Sequence, residues 1–270
     1  ADLVSRYDLD GVQFDRIRYP GKEWGYNSIA VARFRAAAGR WLRPRPDDAA
    51  WSEFRRQQVS MMLRRLFIRA KALRPNIKVS AATITFESAN QDFTKTPAYS
   101  QVFQDWRTWV RADLLDLVCP MIYKRDNVAG ESKQYRGWLD FLALNRGTAL
   151  AVVGQGSYVN SPDGSLRQIG LAFQYPELSG VCLFSYAQLT RRGDRSEVLT
   201  EALRTRYFRS GVRPPQPTAP EKTGCGWIAG YVVGKNVDRV QVVLATEPAR
   251  PTLTDGSGFF AFVRVPVGEY

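Results

Sequence analysis

The sequence predicts a parallel α/β fold, a partial (β/α)8 TIM barrel, followed by a small all-β unit. Three observations carry this. Short runs that are apolar on both faces alternate with helical patterns from residue 1 to 208, as in a sheet covered by its own crossover helices. No glycine-rich phosphate loop follows any strand, which argues against an open doubly wound sheet. After a proline-rich stretch the pattern becomes strand alone.

The strands are read at 10–15 (DGVQFD), 77–86 (IKVSAATITF), 116–123 (DLVCPMIY), 149–155 (ALAVVGQ) and 181–186 (VCLFSY). The clearest helix covers 52–73, where Val59, Met62, Leu63, Leu66, Ala70 and Leu73 recur at helical spacing before Pro75 stops it. Further helices are expected at about 105–115, 136–145, 165–175 and 196–208. A barrel has eight strand–helix units, so the five here leave its first three outside the chain. Pro120, inside the third strand, predicts an edge or a bulge that re-aims Tyr123. Residues 209–223, with Pro214, Pro215, Pro217 and Pro220, read as a stiff linker. From 224 to 270 the strands GWIAGYVV, VDRVQVVLA and FFAFVRVP, with a TDGSG turn at 254–258, read as an incomplete β-sandwich.

The first residues look like the end of a helix and the last follow a turn. The expectation is a piece cut at both ends, from which any secretory signal segment is missing. On its own it is expected to be inactive and poorly stable, because an open half-barrel exposes strand edges.

Apolar residues make up 44% of the 270 and charged ones 24%, an ordinary globular profile. No apolar run approaches the roughly 18 residues of a membrane span. The net charge of +12 favours anionic partners. No dense basic run with interleaved aromatics appears, so nucleic acid is not expected as a partner. The chain has no histidine, which removes Ser-His-Asp and Cys-His triads and the commonest zinc ligand. Cys119, Cys182 and Cys225 form no metal or disulfide pattern, and the first two read as small core residues. No cofactor or metal is expected.

A barrel of this kind carries its site at the C-terminal ends of the strands. The residues there are Asp15, Arg16, Arg18 and Tyr19, then Glu87, then Tyr123, Lys124 and Asp126, then Gln155 and Tyr158, then Ser185, Tyr186 and Gln188. Carboxyls, aromatics and amides on one rim suit a sugar: rings stack on its faces, and amides and guanidinium groups bond hydroxyls or carboxylates. Glycoside hydrolysis needs two carboxyl groups, a proton donor and a nucleophile or base. Asp15 is the candidate nucleophile or stabiliser, with Arg16 and Arg18 beside it. Glu87 and Asp126 are the candidate acids. Arg16, Arg18, Tyr19, Tyr123, Gln155, Tyr158 and Tyr186 are candidate substrate-binding residues. Asp15 paired structurally with Arg18 is the alternative.

The run YDLDGVQFDRIRYP resembles the signature strand of the glycosyl-hydrolase-like family 10, bacterial TIM-barrel proteins. DWRTWVRADLLDLVCPMIY, ALAVVGQGSY and GVCLFSYAQL resemble its later strands in order, over roughly residues 1–208. The resemblance implies strands four to eight of the barrel and action on a bacterial cell-surface or cell-wall polysaccharide, peptide-free peptidoglycan in one branch. It places Asp15 at the family's strand-end aspartate and Tyr19, Tyr123 and Tyr158 at its aromatic positions. Gln13 stands where the family often has histidine and Arg16 where it often has a second aspartate, which leaves open a non-catalytic glycan-binding role. GYVV…VQVVLAT…TLTDGSGFFAFVRVPVGEY resembles a carboxypeptidase-regulatory-like β-sandwich, an accessory module of secreted enzymes. An extracytoplasmic location and peripheral association with the cell envelope follow as expectations.

Overall fold

A computed structural model describes residues 1–210 and 225–270. Five parallel strands form one sheet in sequence order: β1 (Gly11–Phe14), β2 (Lys78–Ile84), β3 (Leu117–Ile122), β4 (Leu150–Gly156) and β5 (Gly180–Phe184). Their convex side lies under the helices, and Val79, Ala81, Val118, Ala151 and Val153 are fully buried there. The concave side is open. Gln13 is exposed on β1, and Cys182 and Phe184 are exposed on β5. Cys182 is thus not the core residue its apolar run suggests. Cys119 is one, and burial pushes its thiol up to about 12. The result is a mixed α/β unit with a half-barrel sheet, consistent with part of a TIM barrel.

The helices are α1 (Asp2–Arg6), α2 (Ser28–Ala38), α3 (Ala49–Leu73), α4 (Pro97–Ser100), α5 (Trp106–Arg111), α6 (Ala129–Asn145), α7 (Pro162–Ala172) and α8 (Ser196–Arg206). Helix α3 begins where Asp48 accepts the backbone N–H of Trp51 at 2.9 Å, an N-cap. It ends at Leu73, two residues before Pro75. Met62 of its apolar stripe stays exposed, because it borders the groove along the free edge of β1. Helix α2 was not expected from hydrophobic spacing. Its signals are the Asn27 cap on the N–H of Ala30 and Gly39 at φ +60° after its last turn.

Pro120 corrects its expectation. β3 is central, between β2 and β4, and its register with β4 is the same before and after Pro120. No bulge is present. The strand tolerates the missing N–H, and Gly154 of β4 gives the Pro120 carbonyl room: a Cβ there would lie 2.5 Å from that oxygen.

Residues 211–224, most of the expected linker, lie outside the described residues. Beyond them, β6 (Cys225–Tyr231) pairs antiparallel with β9 (Phe259–Pro266), and β7 (Gln241–Leu244) with β8 (Glu247–Leu253). The TDGSG turn is held by Asp255, whose Oδ1 accepts the N–H groups of Ser257 and Phe259. Phe259, Ala261 and Val263 of β9 join the main core with Leu63 and Phe67 of α3. Charged contacts frame that seam. Arg33 forks onto Asp238 at 2.7 and 2.8 Å, Arg65 reaches Asp255 at 2.9 Å, and Arg264 lies 2.7 Å from the buried Asp113.

Candidate functional site

Alternation along β1 sets the site's first residue. Val12 and Phe14 pack against the core, so Gln13 and Asp15 share the concave side. Gln13 accepts the hydroxyl of Ser80 on β2 at 3.2 Å, which fixes that side. Asp15 follows the strand, is exposed, and accepts the N–H of Arg16 at 2.7 Å. Arg16 there has φ +53°, a left-handed conformation rare for a residue with a Cβ. Among the described residues Asp15 has no ion pair, so the structural bridge to Arg18 is not made. Arg18 Nε is buried with no hydrogen-bond partner.

Opposite stands an aromatic cluster. Tyr123, just past β3, stacks on Phe184 of β5 with centroids 5.2 Å apart and planes 15° apart. Tyr158 stands edge-on to both, at 5.8 and 5.7 Å. Gly156 of β4 makes this arrangement available. A Cβ at that position would lie 2.8 Å from both Cα and Cβ of Tyr123. Burial pushes the Tyr123 phenol well above its ordinary range, and nearby Cys182, Tyr158 and Asp15 add to it. Asp15 shares the concave side with this cluster by the alternation along β1.

Glu87 follows β2, exposed, at φ +57°. Its carbonyl is clamped from two sides. Trp138 Nε1 donates to it at 2.9 Å and Lys124 Nζ at 3.2 Å. Lys124 is buried, and burial holds its ammonium pKa down while Glu131 and Glu87 raise it. The clamp carries the strain of a left-handed glutamate, the kind of strain that gathers at functional sites.

Two expected residues are placed elsewhere. Gln155 is fully buried on the helix side of β4. It accepts from Tyr135 Oη at 2.9 Å and donates to Gln168 Oε1 at 2.7 Å. Gln168 and Asn160 both donate to the Lys124 carbonyl, at 3.0 and 2.9 Å. Gln155 thus braces the Lys124 loop from behind, since one-residue alternation turns it away from the concave face. Asp126 lies against the first turn of α7, where a Cβ on Gly164 would sit 3.2 Å from its own Cβ. Arg167 holds it at 2.6 Å, and it borders a groove between α6 and α7. A carboxylate there is stabilised by the guanidinium and by the helix N-terminus. Tyr19 packs edge-on against Phe103, 5.7 Å away, beside Arg55, and lines a groove with Asp15, Arg16 and Arg18. Tyr186 is 98% exposed.

The structure thus brings Asp15, Tyr123 and Tyr158 to one face, with Glu87 at the neighbouring strand end. Sequence reasoning placed Lys124 at the end of the third strand without giving it a role, and it missed Phe184, Gly156 and Trp138. Attention to polar strand ends passed over Phe184, although its place two residues after Cys182 puts both on the same face. Among the described residues, no group of three or more cysteine and acidic side chains is arranged to hold a metal.

Residues 1–152 match the family described as Glycosyl hydrolase-like 10. The chain belongs to this family. It is 27% identical over 208 residues to Glycosyl hydrolase DigH of Escherichia coli K12, covering 68% of this chain and 45% of that protein. It is 25% identical over 246 residues to Glycosyl hydrolase YngK of Bacillus subtilis 168, covering 82% and 46%. The chain spans about half the length of these curated relatives.

Proposed function

We propose that the chain is the C-terminal part of a glycoside hydrolase barrel. Its substrate is a bacterial cell-surface or cell-wall polysaccharide, a class that includes peptide-free peptidoglycan. The observation that carries the reading is the exposed Asp15 carboxylate, without an ion pair among the described residues, on the same open concave side as the Tyr123–Phe184–Tyr158 cluster. The rings hold sugar faces while Asp15 acts as nucleophile, or as the base or stabiliser for an oxocarbenium-like centre. Glu87 is the proton donor, aimed by its clamped backbone. Arg16 and Arg18 meet an acidic sugar. Five strands supply half of the mouth, so the catalytic unit in this proposal is a complete barrel containing these residues, outside the cytoplasm. The β6–β9 unit is read as a carboxypeptidase-regulatory-like accessory sandwich.

Arg16, standing where a second carboxylate is expected, favours one other reading, a barrel that binds glycan without cleaving it. Reducing-end release from peptide-stripped peptidoglycan, measured with the complete barrel, separates the two. Steady release that Glu87→Gln removes supports hydrolysis. Saturable binding with no release refutes it.

A further inference from the structure

Between β1 and α3 the chain leaves the barrel wall for an excursion over residues 20–48, with α2 as its middle part. Its inner side is a small core in which Phe34 and Trp51 pack with Phe54. One side chain ties its two loops together. Arg55 of α3 is fully buried, and its guanidinium lies 3.9 Å over the Phe103 ring. Its Nη1 donates to the Trp24 carbonyl and its Nη2 to the Pro46 carbonyl, both at 3.0 Å. The loops before and after α2 are thus fixed side by side at one guanidinium.

Their outward side is unlike an ordinary soluble surface. Trp41 is 85% exposed and the adjacent Leu42 83%. Trp24 is exposed on the neighbouring loop. Arg40, Arg43 and Arg45 flank Trp41 and Leu42 along the chain. Arg43 is held 4.7 Å over the Tyr26 ring and has no ion pair among the described residues. Contiguous exposed apolar side chains mark an interaction surface. The chemistry around them selects the partner. A sugar platform needs free carboxylates or amides beside its rings to bond hydroxyls. Here Asp48 and Asp47 are taken by Arg40 and Arg45, and Asn27 caps α2. Glu23 alone remains. An indole next to an aliphatic side chain and followed by the Arg43 guanidinium matches the boundary between phosphate headgroups and acyl chains.

We propose that the Trp41–Leu42 loop docks the protein on the surface of a bilayer carrying anionic phospholipids. The contact is interfacial: among the described residues no helix is long and apolar enough to cross a membrane. The net charge of +12 adds long-range attraction. This inference does not rest on the hydrolase reading.

The test is co-sedimentation of the full-length protein with vesicles of phosphatidylcholine, alone or mixed with phosphatidylglycerol. Pelleting with the mixed vesicles, weak pelleting with phosphatidylcholine alone, and release by added salt are expected. The double variant Trp41→Ser/Leu42→Ser alters only exposed side chains, so its melting curve should match the wild type. Its partitioning should drop by about tenfold. Arg43→Gln should cost about fivefold. Equal pelleting of the double variant and wild type overturns the proposal, as does no pelleting with the mixed vesicles. Loss of binding to lipid-free insoluble glycan in the double variant, with vesicles ignored by both forms, would make the loop a sugar platform instead.

Discussion

Replacing Glu87 by glycine should raise stability and abolish turnover together. Glu87 has φ +57°, and a left-handed backbone costs a residue with a Cβ about 1–2 kcal/mol. Glycine removes that cost but gains freedom in the unfolded chain, returning about 0.5–1 kcal/mol of it. The net gain is about 0.5–1 kcal/mol, because no hydrogen bond to the Glu87 side chain is seen among the described residues. At about 2–4 °C per kcal/mol for a chain of this size, Tm should rise by about 1–4 °C. The Trp138 and Lys124 bonds go to the backbone carbonyl and survive the substitution. The assay pairs thermal melting with reducing-end release in the complete barrel. Glu87→Gln is the control: it keeps the strain and the shape, so Tm should not move, while release should fall about 10²- to 10⁴-fold with the loss of a general acid. A lower Tm for Glu87→Gly would show that the carboxylate is there for stability. Undiminished release by Glu87→Gln would remove it from the chemistry.

Three further outcomes follow from the packing. Gly156→Ala puts a methyl 2.8 Å from Tyr123, so it should cost about 1–3 kcal/mol in urea denaturation and weaken glycan binding as the Tyr123–Phe184 stack separates. Arg264→Ala leaves Asp113, a carboxylate with 2% side-chain exposure, without its cation. A fully buried broken pair costs about 3–5 kcal/mol, but Arg264 itself is half exposed, so about 1–2 kcal/mol is expected, with the β6–β9 seam loosening first in hydrogen exchange. Asp48→Ala removes the cap of α3 and should cost about 1 kcal/mol at pH 7. The Trp51 N–H bond, with help from Arg40, holds the Asp48 carboxyl below its usual range. A lowered pKa gives stability that is present above the unfolded value, near 4, and lost as pH falls through the folded one. Wild type and Asp48→Ala should therefore differ at neutral pH and converge in acid; a gap that persists in acid would assign the effect to packing.

The five-stranded parallel sheet was legible because buried parallel strands leave a two-sided apolar run that little else produces. All five were found within a few residues. Helix α2 was not, since its identity lies in two end signals, Asn27 and Gly39, rather than in an apolar stripe. Of the site, Asp15 and the tyrosines after β3 and β4 were readable as polar or aromatic residues at strand ends. Gln155 and Asp126 were misplaced for opposite reasons. A one-residue step in a strand decides which face Gln155 takes, and the tertiary pairing of Asp126 with Arg167 is invisible at a separation of 41 residues. Phe184 and Gly156 carry no polar group, so a search for chemistry passed over the two residues that shape the aromatic wall. Pro120 misled because a missing N–H was taken to need an edge or a bulge, whereas the central strand keeps its register straight through it.

The measurement that bears most directly on the central claim is Asp15→Asn in the complete barrel, with glycan affinity and reducing-end release determined on the same preparation. The account predicts affinity within a few-fold of wild type, because the aromatic cluster is untouched, and release reduced by at least about a thousandfold. Release at the wild-type rate, or affinity and release lost in equal proportion, would contradict it.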